Sequence, residues 1–178
     1  VRRRRTQACG WLRTHKYHCF HPCNIVENYE GNINFNNGYG KSGHLVDKFE
    51  TSQRVMISSQ VGQSSPLHAG ATGFAVLIGM PEEEAFRTLS HDLPLPVYTD
   101  KTPTCMEELR ERYKERRENG YVIASGEVDP GTTGIAVPLY IPCERCYGSL
   151  SVSLPTVWYT GRVLLTCCFP LQLFNHRA

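Results

Sequence analysis

Apolar and polar positions along the chain alternate in short runs near the start, recur at helical spacing through the middle, and alternate again toward the end. Gly31 to Asn36 and His44 to Phe49 read as two strands, with Asn36-Asn37-Gly38 as the hairpin signal between them. Arg54 to Ser58 alternates Val55 with Ile57 and reads as a further strand, followed by a polar loop through Gly62 to Ser65. From about His68 to Gly79 the residues Ala71, Phe74, Ala75 and Ile78 recur at helical spacing and predict a buried helix. Pro81-Glu82-Glu83-Glu84 opens a second helix, with proline early and acids in the first turn where the helix dipole favours them; Ala85, Phe86 and Leu89 form its inner face. Thr104 and Glu107 have capping-box spacing ahead of a third helix, with Met106, Leu109 and Tyr113 on one face and Gly120 as its C-terminal cap. The acids and bases from Glu107 to Arg117 balance one another and predict its solvated side. Tyr121 to Ile123, Thr133 to Ile141 and Ser149 to Leu154 predict strands, with turns at Asp129-Pro130-Gly131 and around Cys143 to Cys146. Gly161 to Cys168 has the makings of a last helix, which Pro170 limits. Strands in ones and twos around such helices fit an antiparallel sheet covered by helices, an α+β domain.

Composition narrows the function classes. A chain of 178 residues suits one domain with a real core, and 40% apolar with 20% charged residues is ordinary for a soluble protein. A net charge of +2 demands neither nucleic acid nor membrane, and the run Arg2 to Arg5 that carries much of the excess reads as a solvated tail. No apolar stretch approaches the ~18 residues of a membrane span, and no apolar segment follows the N-terminal charges as a secretory signal requires. The eight cysteines are too uneven and too sparse for a disulfide scaffold, which points to a cytoplasmic protein with mostly free thiols.

Two chemistries are open from the cysteines. Cys143-x-x-Cys146 has half of a zinc-ribbon spacing, and Cys19 and Cys23, or His21, could supply the other half in a zinc-stabilised interaction domain. A cysteine with a histidine can also form a nucleophile pair, and Cys105, in the first turn of a helix, is the candidate thiol. No nucleophile elbow, zinc-protease helix or phosphate-cradling glycine motif supports an enzyme, and no cofactor is expected. The third candidate is the crowding of Ala69, Gly70, Ala71, Thr72 and Gly73 at the start of the buried helix. Small residues there either pack the helix close to a sheet or expose first-turn amides, with the helix dipole behind them, to an anion.

LVDKFETSQ (Leu45 to Gln53) stands ahead of SSQVGQSSPLHAGATGFAVLIGMPEEE (Ser58 to Glu84); the Tyr98 to Lys101 segment, the charged helix ending in Asn119-Gly120-Tyr121, the turn with Gly131 and SLSVSLP (Ser149 to Pro155) follow. In order and spacing this resembles the effector-binding domain of IclR-type bacterial transcription regulators from about Asn24 to Pro155, most of the chain. The resemblance implies a GAF-like fold, a curved antiparallel sheet with helices on both sides and a small-molecule cavity on one face. Residues 1–22 are then a linker or tail remnant and 23–178 the effector domain. The winged helix-turn-helix that contacts DNA in such regulators is absent from the chain. It implies a small organic acid or related metabolite as effector, homo-oligomers (dimer or tetramer), no membrane contact, and allosteric control of transcription. The implied effector site lies at the amides of Gly70 and Ala71, beside His68 at the helix start, and at the hydroxyls of Ser151 and Ser153. The serines stand two apart on a strand and so share a face. Where many relatives carry consecutive acids this chain has Ala124, and at a further polar position it has Gly134, departures that favour a larger or more apolar ligand. Met56, Ile57, Leu67, Phe74, Ile123, Ile135 and Val137 are candidates for an apolar lining, or plain core.

Overall fold

The computed structural model describes residues 32–39, 42–49, 57–141 and 146–160. Among these residues six strands form one sheet: β1 (Asn32–Tyr39), β2 (Ser42–Phe49), β3 (Ser64–Pro66), β4 (Val122–Ser125), β5 (Thr132–Ile141) and β6 (Cys146–Pro155). Its order is β3-β2-β1-β6-β5-β4, and every described pairing is antiparallel. Among the described residues three α-helices, α1 (Ala71–Gly79), α2 (Glu82–Ser90) and α3 (Met106–Asn119), separate the strands of the first half from those of the second. The α+β architecture expected from the sequence is the one observed.

The pairing of β4, β5 and β6 sets Ala124 beside Gly134 and Ser153, and Val122 beside Ala136 and Ser151. These residues share the face that α1 covers, and nearly all are small. Helix α1 therefore lies close against the sheet: a methyl on Gly134 would come within 2.9 Å of the Ala71 Cβ. Alternate residues Ile135, Val137, Leu150 and Val152 point to the opposite face and are also fully buried, so the sheet is covered on both sides. Phe74, Val76, Leu77, Phe86, Leu89, Leu109 and Tyr113 complete the core around α1, and Tyr113 donates its hydroxyl to the Met80 carbonyl at 2.8 Å.

Several local expectations shift. Strand β1 runs through Asn36-Asn37-Gly38 to Tyr39, so the hairpin turns beyond that signal, with a register irregularity at Phe35/Asn36 in its place. A strand from Arg54 to Ser58 lies outside the described residues as far as Met56, and Ile57 and Ser58 are not in a strand. The sheet edge is instead β3, inside the stretch that reads as a polar loop. The buried helix begins at Ala71, because Gly70 takes φ 74 and ψ 160, a conformation for glycine alone. No capping box forms at Thr104: the cap of α3 is Cys105, which makes no side-chain cap bond, and its thiol donates to Glu107 Oε2 at 2.9 Å. That bond, first among the causes, holds the exposed Glu107 carboxyl below its ordinary pKa. Gly120 closes α3 in the left-handed conformation, as expected.

Candidate functional site

Four chain segments meet at the start of α1. The loop leading to β3 and β3 itself bring Ser58, Ser59, Ser64 and Ser65; the first turn of α1 brings Gly70, Ala71, Thr72 and Gly73; and the β4–β5 hairpin with the end of β6 brings Ala124, Glu127, Thr132, Gly134 and Ser153. Between them is a cavity of ≈ 140 Å³. Gly73 lets the helix start against β3, since a methyl there would lie 1.8 Å from the Pro66 carbonyl oxygen. The first-turn amides of α1 have no acceptor within their own helix, and Ala71, Thr72 and Gly73, which carry them, line this wall.

Of the positions implied by the resemblance, Gly70, Ala71, Ala124, Gly134 and Ser153 all lie on the cavity wall. Ser151 does not. It is fully buried beneath the helix, and its oxygen accepts a hydrogen bond from the Thr72 hydroxyl at 3.0 Å. The two serines share a face, but one ties the helix to the sheet while the other reaches the cavity. His68 is also off the wall: it is buried, donates from Nε2 to the Pro96 carbonyl at 2.9 Å, and stacks on Tyr98 with ring centroids 5.9 Å apart. It locks the proline-rich connector to the helix start. Of the candidate apolar lining, Ile57 is on the wall, whereas Leu67, Phe74, Ile135 and Val137 are core and Met56 lies outside the described residues. The wall is richer in hydroxyls than Ala124 and Gly134 suggest, because the serines of 58–65 face it.

Glu127 is the residue that sequence reasoning missed. Its Oε2 accepts the Gly70 amide at 2.9 Å, and its Oε1 accepts Arg112 at 2.8 Å and Arg116 at 3.0 Å. The carboxylate is 6% exposed and lies on the cavity wall. The anion at this helix start is thus one of the protein's own. Arg116 stacks its guanidinium over Phe74, 4.4 Å from the ring centre, and Arg112 also pairs with Glu108 at 2.6 Å, one helical turn away. The charge run of α3 is accordingly more than a solvated face: Arg112 and Arg116 reach inward, and Arg117 donates to the Met80 carbonyl and the Tyr113 hydroxyl. The backbone around Glu127 is fixed separately, with Thr99 bonded to the Gly126 carbonyl and Thr102 to the Glu127 carbonyl, each at 2.7 Å. The one available signal was a single acid left in an otherwise uncharged stretch, Tyr121 to Val128, after a helix with surplus arginines toward its end.

The cysteine alternatives gain nothing from the described residues. Cys19, His21, Cys23 and Cys143 lie outside them, as does the run Arg2 to Arg5, and Cys146 opens β6. Among the described residues no cluster of histidine, cysteine or carboxylate groups has metal-binding geometry, and Cys105 is exposed. No helix among them is long and apolar enough to cross a membrane.

Comparison with known proteins gives a consistent answer. Residues 24–167 match the family described as bacterial transcriptional regulator IclR C-terminal. The chain is 30% identical to the HTH-type transcriptional regulator XynR of Escherichia coli K12, over 66% of this chain and 46% of that protein. It is 28% identical to KipR of Bacillus subtilis 168, over 64% of this chain and 45% of that protein. It therefore spans about half the length of these relatives. Among solved structures it resembles the Thermotoga maritima IclR, with a TM-score of 0.81 and 20% identity over 97% of this chain and 67% of the other. It also resembles the C-terminal domain of E. coli KdgR, with a TM-score of 0.72 and 23% identity over 86% of this chain and 88% of the other. The inducer-binding domain of PobR from Acinetobacter, solved as a double mutant with 3-hydroxybenzoic acid, gives a TM-score of 0.72 at 19% identity, covering 86% and 91%. These likenesses establish the GAF-like fold. The chain belongs to the family of IclR-type bacterial transcriptional regulators and carries their C-terminal, effector-binding domain.

Proposed function

We propose that the cavity at the start of α1 binds a small organic acid or related metabolite, and that its occupancy controls a DNA-binding domain elsewhere in the regulator. The observation that carries this reading is that one hollow is lined by the first-turn residues of α1 together with serines and threonines from separate segments of the chain. Such groups form a neutral, directional receptor for a carboxylate and its neighbouring hydroxyls. An apolar cavity of about 150 Å³ accepts a benzene-sized guest, so a hollow of this size suits a ligand of roughly six to ten non-hydrogen atoms. The PobR domain, of the same fold, was solved with an acid of that size, 3-hydroxybenzoic acid. Control then follows from linkage: a ligand that favours one arrangement of the domain, or of its association with sister copies, shifts the regulator by its differential affinity, typically ~1–3 kcal/mol. The relatives are transcriptional regulators, and the domain acts here as a sensor rather than an enzyme.

Calorimetry against a panel of small carboxylic and hydroxy acids tests the reading, with Ala124→Leu as the blocking variant. Ala124 is buried on the wall, and three added carbons project into the hollow. The expected result is one ligand per chain for the wild-type protein and none for the variant, with both folded. Undiminished binding to the variant would place the ligand elsewhere.

A further inference from the structure

The strong partners for negative charge beside the cavity are consumed by one side chain. Glu127 holds the Gly70 amide with one oxygen and both Arg112 and Arg116 with the other, within 3.0 Å in each case. Of the described residues on the wall, the ionisable ones are two acids, Glu127 and Asp129, and no lysine or arginine. Lys101 approaches Gly126 from outside the wall.

The geometry points to Glu127 as a specificity-determining residue: it fills one anion position with a carboxylate of the protein and so restricts the effector to a single negative charge. This inference rests on the reading of the cavity as the effector site and deepens it. A monocarboxylate still meets the wall at Ala71, Thr72 and Gly73. Among the described wall residues the second carboxylate of a diacid meets two acids, Glu127 and Asp129, and no lysine or arginine; the ammonium groups next to that wall are Lys48, which donates to the Ser59 carbonyl, and Lys101 beside Gly126. Like charges a few ångströms apart in a partly buried site disfavour one another by far more than water-screened charges do.

The test uses two isosteric probe pairs that differ by one charge: succinate with succinamate, and glutarate with glutaramate. The wild-type protein should bind the monoanion of a pair at least about tenfold more tightly than the dianion, a difference on the scale of one unfavourable charge contact. Glu127→Gln should bring the ratio within about twofold or invert it, and Asp129→Asn should lower it by less than Glu127→Gln does. Equal affinity for both members in the wild-type protein, or a preference unaltered in Glu127→Gln, overturns the role of Glu127 while leaving the cavity as the binding site. Binding of no probe to the wild-type protein overturns both readings. Should Glu127→Gln fail to fold, amide NMR of the wild-type protein decides alone. On saturation with the monoanion, Ala71, Thr72 and Gly73 should shift while Gly70 keeps its carboxylate-bonded position; a Gly70 shift as large as theirs would show that the ligand replaces Glu127.

Discussion

Gly73→Ala separates two opposed effects at the site. Within a helix, alanine is favoured over glycine by roughly 0.5–1 kcal/mol, so propensity alone predicts a more stable protein. The structure predicts the reverse. The added Cβ would lie 1.8 Å from the Pro66 carbonyl oxygen, 2.7 Å from its carbon and 3.2 Å from the Leu67 Cα, and all three are backbone atoms. A carbon–oxygen contact needs about 3.3 Å, which leaves a shortfall of ~1.5 Å that no side-chain rotation relieves. Either β3 leaves the sheet edge or α1 lifts from a face on which Phe74, Ala75, Val76 and Leu77 are fully buried. A radial gap of 0.5–1 Å already forfeits about a quarter to a half of the contact energy across it. Overpacking ordinarily costs about 1–3 kcal/mol, and a backbone clash of this size belongs at the top of that range or above it. Net of the propensity gain, a loss of roughly 2 kcal/mol or more is expected, a fall of about 1 M or more in the urea midpoint. An unchanged or raised midpoint would refute the seating of α1 on β3 and, with it, the shape of the cavity.

Gly43→Ala is the matched control: its added methyl would meet Val76 at 3.8 Å and the Ser65 oxygen at 4.0 Å, so its urea midpoint should stay within the error of the wild type or rise slightly. Glu127→Ala strands Arg116, whose side chain is 13% exposed, without its carboxylate, and should cost about 3–5 kcal/mol in the same assay. Thr72→Val keeps the shape but removes the donor to Ser151, and should lose about 1 kcal/mol of stability while weakening carboxylate binding measured by calorimetry. Burial raises the Tyr113 hydroxyl above its ordinary pKa of 10.0, so the unfolded chain ionises first; this contribution to stability is whole below pH 10 and is lost as the pH rises through the folded value. Tyr113→Phe should therefore flatten the alkaline limb of a stability–pH profile.

Long-range periodicity made the fold legible, and short-range chemistry was where the sequence misled. Helix α1 could be read because Ala71, Phe74, Ala75 and Ile78 recur at helical spacing, although Val76 and Leu77 on its other side are buried too, and α3 because Leu109, Tyr113 and Gly120 mark its inner face and its end. Strand β3 could not: Ser-Ser-Pro carries no apolar alternation, and its place at the sheet edge comes from pairing with Ser42, Gly43 and His44. The Asn-Asn-Gly signal lost to pairing on both sides, since Asn36 and Asn37 each face partners in β2 and in β6. At the site, the small residues announced a close backbone approach, but not what approaches. Thr72 claims Ser151 across 79 positions of sequence, and Gly70 claims Glu127 across 57. A lone glutamate has no period, so only the folded contacts reveal it as the anion already in place.

The most direct test of the account is a crystal structure of the chain with the tightest-binding monocarboxylate from the calorimetric panel. The carboxylate should lie against the amides of Ala71 to Gly73, with hydroxyls of the β3 segment and Ser153 around it and Glu127 still on Gly70. A ligand bound at any other place, with the hollow beside α1 unfilled, would contradict it.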